Sequence, residues 1–322
     1  PNSGNVRKGM SRDDLFITVH ETFWTDSCMY ADIVLPADTA LERHDCHWAY
    51  GSWFLGINKP VIEPLGESIN NTELFRMLAD KMGYVDSTDN AFTQTDEEII
   101  KDILLEAENE DGERFNCLTE GINYEDVVKN GWARASTNSK RRDFLNNGWG
   151  TPSGKIEIKC DAITAEYPDV SPFPEYVPEI NGQYDPAKSK YPIQVLSSAS
   201  HYFIGDSFQS VPRLQGMQSR PTVEMSVNDA KARGVEDGDL VRLYNEQGET
   251  YCYVVIIEGL LDGVCATQKQ FKGSNTPGGL NVNNLNSEML TDFGKSPTFY
   301  SVLVEIEKAS KEMSEKAIKQ GA

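Results

Sequence analysis

The chain has 322 residues, with 30 Lys plus Arg against 50 Asp plus Glu, for a formal net charge of −20. Its 39% hydrophobic and 10% aromatic content is that of a folded protein, and at roughly 100–200 residues per domain the length suggests two domains. So acidic a chain is no phosphate-backbone binder, because that affinity rests on Lys and Arg, and no apolar run approaches the ~20 residues that cross a bilayer.

The chain opens on Pro1-Asn2-Ser3-Gly4 without the basic and then apolar pattern of a leader. Within a few residues, Leu15-Phe16-Ile17-Thr18-Val19 reads as a buried strand. A domain that begins on an interior strand has the look of one cut in the middle, so the chain is expected to be a fragment. A polar loop at residues 20–27 precedes a second strand, Asp32-Ile33-Val34-Leu35-Pro36. Continuous apolar runs of this kind suit parallel strands covered on both faces, and Pro36 ends the second. Asn70 and Glu73 have capping-box spacing ahead of a helix at about 71–82, with Leu74, Leu78 and Met82 every fourth residue and Gly83 at its end. Strand, loop, strand and capped helix read as the end of an α/β domain, residues 1–84.

Residues 85–190 read as a helical and irregular insert with a linker. They hold a loop at 86–90 and a second capping box, Thr95 with Glu98. A helix carrying Ile99, Ile100, Ile103 and Leu104 follows, then an acidic stretch to Glu113 and a basic surface patch, Asn138-Ser139-Lys140-Arg141-Arg142. Residues 167–192 are rich in Pro and aromatics, which marks an irregular linker. From Ile193 the pattern turns to β. A strand at 193–196, a short helix at 226–233 stopped by Gly234, a hairpin of 240–244 with 250–257, and an alternating strand at 301–306 predict a small closed barrel over 191–308. A polar helical tail occupies 309–322.

Side-chain chemistry is sparse. The six cysteines (Cys28, Cys46, Cys117, Cys160, Cys252, Cys265) show no CxxC spacing, which argues against a disulfide scaffold and against a local zinc or iron–sulfur site. His44 and His47 would share a helical face near Cys46, an incidental grouping rather than a metal site. No nucleophile elbow, Walker motif or GxGxxG is present. Gly263, Gly273, Gly278 and Gly279 are either ordinary turns or places where the chain approaches a ligand, with turn chemistry the simpler reading. Two loops stand out. Residues 20–27 follow a strand, where open α/β sheets bind ligands. Ser197-Ser198-Ala199-Ser200-His201-Tyr202-Phe203-Ile204-Gly205-Asp206-Ser207 is dense in small polar groups, suited either to a surface loop or to phosphates and a polar heterocycle.

The segment Phe23-Trp24-Thr25-Asp26-Ser27-Cys28-Met29-Tyr30-Ala31-Asp32-Ile33-Val34-Leu35-Pro36, followed by Leu41-Glu42-Arg43, resembles the T-E-T-A-x-x-A-D-I-V-L-P signature of the molybdopterin oxidoreductases. This is the dimethyl sulfoxide reductase superfamily, which also holds formate dehydrogenases, nitrate reductases and thiosulfate or polysulfide reductases. Asn58-Lys59-Pro60-Val61, Pro64-Leu65-Gly66-Glu67 and Thr151-Pro152-Ser153-Gly154-Lys155-Ile156-Glu157 resemble later stretches of the same family. Residues 230–243 and 277–284 resemble its last domain. Asp26-Ser27-Cys28 stands where the family usually has Glu-Thr-Ala. The resemblance implies an α/β plus β fold: the end of a Rossmann-like α/β domain followed by a double-psi β-barrel that binds molybdopterin dinucleotide.

It implies cofactor-binding roles and no catalytic or metal-ligating residue in this chain. His20, Glu21, Thr25, Arg43 and Asn71 fall where the family contacts the nucleotide of one pterin. Ser197, Ser198, Ser200, His201, Tyr202, Gly205, Asp206 and Ser207 match the loop that wraps pterin and pyrophosphate, while Asn283 and Tyr300 match later contacts. The implied cofactor is two copies of molybdopterin guanine dinucleotide with molybdenum or tungsten. The family's amino-terminal half, which carries the metal ligand and any iron–sulfur cluster, has no counterpart here. The parent protein would run two-electron redox on a small substrate, as in anaerobic respiration, with a separate iron–sulfur subunit as an electron-transfer partner. Cytoplasmic and exported locations both stay open. The competing readings are a non-redox member such as a hydratase, and a metal-free binding module.

Overall fold

The computed structural model describes residues 2–84, 92–104, 122, 124–134, 148–269 and 271–320. The expected loop at 86–90, the acidic stretch ending at Glu113, Cys117 and the basic patch at 138–142 lie outside the described residues. In chain order the elements are α1 (Ser3–Met10), β1 (Thr18–Glu21), β2 (Ile33–Pro36), β3 (Asp45–Trp48), β4 (Phe54–Asn58), α2 (Asn71–Met82), α3 (Asp96–Leu104), α4 (Tyr124–Asn130), β5 (Trp132–Arg134) and α5 (Asp161–Glu166). They continue with β6 (Ile193–Ser198), α6 (Pro212–Met217), β7 (Thr222–Ser226), α7 (Val227–Ala232), β8 (Leu240–Tyr244), β9 (Glu249–Ile257), β10 (Val264–Gln268), β11 (Leu303–Lys308) and α8 (Lys311–Gln320). Two compact units result. One comprises Thr18–Trp24 and Ile33–Glu175, the other Pro1–Ile17, Thr25–Asp32 and Tyr176–Ala322.

In the first of these units, β1 and β2 pair in parallel, Thr18 opposite Ile33 and Glu21 opposite Pro36. The expected strand at 15–19 is shifted. Pairing starts at Thr18 and takes in His20 and Glu21, while Leu15 and Phe16 are exposed. The Asp32 carboxylate accepts the Ile17 N–H at 2.8 Å, so the ladder proper begins one residue later. With only two strands in the sheet, no residue of either is fully buried, so the expectation of cover on both faces fails within this unit. Helix α2 keeps its predicted bounds. The Asn70 side chain accepts from Glu73 N at 2.7 Å, and Gly83, at φ 77°, supplies the left-handed residue that stops the helix. Only half of that capping box forms, because Glu73 turns to Arg76 at 2.7 Å. At α3 both halves form: Thr95 N donates to Glu98 Oε2 at 2.7 Å and Glu98 N to Thr95 Oγ1 at 3.2 Å.

The antiparallel sheet β3-β4-β5 was not predicted. It packs Leu55 and Ile57 against Ile100, Leu104, Ile122 and Val127 as this unit's core. Its presence corrects the helical reading of His44, Cys46 and His47: Asp45–Trp48 is a strand, so Cys46 and His47 point to opposite faces. The His47 ring lies over Gly56 on β4, where an added Cβ would come within 2.4 Å of Nε2. Among the described residues no three His, Cys, Asp or Glu side chains gather as metal ligands.

The other unit is built on a closed barrel of order β10-β6-β11-β8-β9-β7. β6 runs parallel to β10, with Gln194 opposite Val264 and Ser198 opposite Gln268, and β7 runs parallel to β9. Alternating residues such as Ile193 and Val195, Val223 and Met225, and Val241 and Leu243 fill the interior. The strand expected at 301–306 begins instead at Leu303 and reaches Lys308. β7 was missed because it runs directly into α7, with Ser226 both closing the strand and capping the helix through Asp229 N at 3.1 Å. No helix among the described residues is long and apolar enough to cross a membrane.

Candidate functional site

The first cluster surrounds the ends of β1 and β2. His20 Nε2 lies 3.1 Å from the Pro36 carbonyl, which can only accept, so that nitrogen donates, and Nδ1 lies 2.8 Å from Asn71 Oδ1. The ring is thus held between a strand end and the first residue of α2. Glu21, half-buried, accepts the N–H of its neighbour Thr22 at 2.8 Å. Just beyond β2, Asp38 is buried and its Oδ1 lies 3.0 Å from Arg43 Nη2. That contact is an ion pair without hydrogen-bond alignment, since Nη2 donates to the Asp38 carbonyl at 2.9 Å. Arg43 Nε is buried and has no hydrogen-bond partner among the described residues. Burial pushes the Asp38 carboxyl upward, and Arg43 opposes the shift.

Neighbouring carboxylates fix the frame around Arg43. Buried Glu42 accepts the N–H groups of Thr39 at 2.6 Å and Leu65 at 2.8 Å; the Thr39 hydroxyl and these amides hold it below the usual carboxylate range. Arg43 and Asn71 line a pocket of about 270 Å³ together with Cys46, Thr72, Asp96 and Ile100. Asp96 accepts from Asn70 at 2.7 Å, from Thr72 at 2.6 Å and from Arg76. Burial works against its ionisation, but Thr72, Arg76 and Asn70 together outweigh burial and lower its pKa.

The second cluster lies at the barrel end where the parallel strands β6 and β10 both finish. Ser197 is buried opposite Thr267, Ser198 Oγ donates to the Thr267 carbonyl at 3.5 Å, and Lys269 N donates to the Ser198 carbonyl at 2.8 Å. Ser200 Oγ donates to Gln218 at 2.5 Å and accepts from Tyr202 N at 3.2 Å. The exposed His201 ring meets Tyr202 edge-on at 4.8 Å. Gly205, at φ 63°, turns the chain so that Ser207 N donates to the Ile204 carbonyl at 3.0 Å. Asp206 and Ser207 project to solvent from this turn, and no residue among those described pairs with the Asp206 carboxylate.

The remaining predicted residues stand apart. Thr25 precedes a short 3-10 turn, Asp26–Tyr30, and belongs to the barrel-containing unit, unlike His20 and Glu21. Asn283 Oδ1 accepts from Asn286 Nδ2 at 3.0 Å, so part of its polar capacity is spent within its own turn. Tyr300 is exposed and tilted on Phe299 at 4.7 Å. Neither forms a hydrogen bond or ring contact with the 199–207 loop among the described residues. Gly273 answers to chain packing, because a Cβ there would meet Asp26 Oδ2 at 2.9 Å and the Gly279 carbonyl at 3.0 Å. Sequence reading missed Asp38 and Gln209. A buried Asp five residues before an Arg carries a faint signal; a lone Gln carries none.

Both clusters fall within stretches that match family models. Residues 1–81 match the molybdopterin oxidoreductase domain and residues 193–303 the molydopterin dinucleotide binding domain, in that order along the chain. The chain belongs to the molybdopterin oxidoreductase family. Among its relatives is a protein named probable oxidoreductase YoaE, from Bacillus subtilis (strain 168), 32% identical over 309 residues, or 96% of this chain and 42% of the relative. Another is the dimethyl sulfoxide/trimethylamine N-oxide reductase of Rhodobacter capsulatus, 29% identical over 80% of this chain and 32% of that protein. The chain thus spans less than half the length of these relatives. In fold it is similar to acetylene hydratase from Pelobacter acetylenicus, with a TM-score of 0.72 at 19% identity, over 95% of this chain and 42% of that one.

Proposed function

We propose that this chain is the cofactor-binding carboxy-terminal portion of a molybdenum or tungsten oxidoreductase that holds two molybdopterin guanine dinucleotides and acts on a small substrate. The observation that carries the reading is the ordered pair of family matches, each coinciding with a cluster of polar groups at strand ends. When bound, the cofactor would supply the two-electron redox chemistry at its metal. The residues present fit such a ligand. Arg43 Nε is a buried donor with no acceptor among the described residues, as a phosphate or heterocycle oxygen would require. The Asp206 carboxylate and the hydroxyls of the 197–207 loop offer acceptors and donors of the kind a pterin edge and a pyrophosphate need.

In this reading the chain binds and orients. Arg43, held by Asp38, gives a fixed positive charge to the nucleotide end, while Glu21 accepts N–H groups of a purine edge. His20 and Asn71 complete that contact surface, and Thr25, in the barrel-containing unit, is a cofactor contact of its own. Ser197, Ser198, Ser200, His201, Tyr202, Gly205, Asp206 and Ser207 form the wall beside the pterin, with Asn283 and Tyr300 as outer contacts. The two parallel strand pairs of the barrel support a double-psi topology, and β1, β2 and α2 support the end of a Rossmann-like domain. Electrons would be exchanged with a separate iron–sulfur subunit. The test is elemental analysis and pterin fluorescence of the purified full-length protein. Molybdenum or tungsten with a pterin dinucleotide is expected. Absence of both after expression in a cofactor-producing host would leave a metal-free binding module in its place.

A further inference from the structure

We infer that Gln209 is the positioning residue of the 199–211 loop: its buried amide ties this loop to the one after β10 and fixes the Asp206-Ser207 turn. This rests on the reading that the loop faces the cofactor. Gln209 is 1% exposed, and both ends of its amide are engaged. Nε2 donates to the Gly205 carbonyl at 3.0 Å, closing the turn on itself, and Oε1 accepts the Lys272 N–H at 2.5 Å, from the neighbouring loop. Phe203 and Phe271, both buried, meet edge-to-face at 6.0 Å and join the same two loops. The residue before Gln209 shows what the clamp resists. Phe208 has φ 70°, a left-handed conformation that costs a bulky residue free energy. Phe208 is 53% exposed, so burial does not offset that cost. Ile204, 74% exposed, and Phe208 flank the polar Asp206-Ser207 tip in the chain as exposed apolar residues.

An amide is required because the site needs a donor and an acceptor in one planar group. An ionised carboxylate has only acceptors and would face the Gly205 carbonyl with no proton between them. A protonated carboxyl restores the pattern, and burial raises the pKa of such a group. Gln209→Glu should therefore behave as a loosened loop at alkaline pH and recover as pH falls. The titratable groups carried by the two loops (His201, Tyr202, Asp206, Lys269, Lys272) are common to wild type and variant, so the wild-type profile serves as their control.

The experiment measures hydrogen exchange of residues 203–209 and pterin retained after gel filtration, in the full-length protein at about pH 8 and about pH 5.5. For Gln209→Glu, loop protection is expected to fall about tenfold at the higher pH, one hydrogen bond's worth, with loss of pterin, and both should return at the lower pH. Gln209→Met should be low at both pH values, and adding Phe208→Gly should restore part of its protection by removing the strained residue. Wild-type protection in Gln209→Glu at both pH values would overturn the inference. Protection that follows pH while pterin content stays constant would uphold the clamp and remove this loop from the cofactor site. If Gln209→Glu does not fold, Gln209→Met with Phe208→Gly carries the test, and no recovery of loop protection there counts against the clamp.

Discussion

Asp38 and Arg43 show how a single buried pair can serve both stability and binding. Asp38 is almost fully buried, whereas Arg43 is about a quarter exposed and keeps one donor without a partner among the described residues. Removing the cation should leave an uncompensated buried carboxylate, at a cost toward the lower end of the ~3–5 kcal/mol typical of such breaks. Because burial already raises the Asp38 carboxyl and Arg43 opposes the rise, its loss in Arg43→Met pushes that pKa higher. A carboxyl raised in the folded state favours folding more as pH falls, so the defect should shrink on acidification. Denaturation midpoints at about pH 7.5 and about pH 5 check this, and an equal loss at both would contradict it. Among the cofactor candidates, Asp206→Ala discriminates better than Asn283→Ala, since Asn283 bonds Asn286 while Asp206 has no partner among the described residues. Asp206→Ala is expected to lower pterin content with an unchanged denaturation midpoint. Glu21→Gln replaces an acceptor with a donor and should weaken dinucleotide binding roughly ten- to hundredfold, read by reconstitution of the full-length apoprotein.

At the level of elements, local signals were legible wherever one side chain decides a boundary. Asn70 and Gly83 fix both ends of α2, and Thr95 with Glu98 opens α3. Thr95→Ala should cost about 1 kcal/mol, with Thr95→Ser close to wild type, measured by urea denaturation. Asp96, beside that cap, has a lowered pKa, so its contribution is present above the ordinary aspartate value of 3.8 and is lost as pH falls through its folded value. Asp96→Asn should flatten the acid limb of the stability profile; an unchanged limb would show that Asp96 is not its source. Sheet β3-β4-β5 was illegible because its strands are short and Trp132–Arg134 lies more than 70 residues beyond Phe54–Asn58 in the chain. The shift of β1 was hidden for a similar reason: the Asp32 carboxylate, from the far side of the loop, decides where pairing begins.

For the whole molecule, the barrel was legible from alternation and turns, yet its closure depends on the parallel pairings β6-β10 and β7-β9, between segments far apart in sequence. The candidate site was legible only as segments. His20 with Asn71, and Ser198 with Thr267, meet through tertiary structure, and Gln209 entered no sequence argument because a lone Gln has no pattern. In the proposed function, residues of this chain hold the pterin dinucleotides. Hydrogen exchange of the full-length protein, isolated with and without its pterin, tests it most directly. Protection on cofactor binding is predicted in two separate stretches, residues 20–43 and 199–209. Bound pterin with no change in either stretch would contradict the claim.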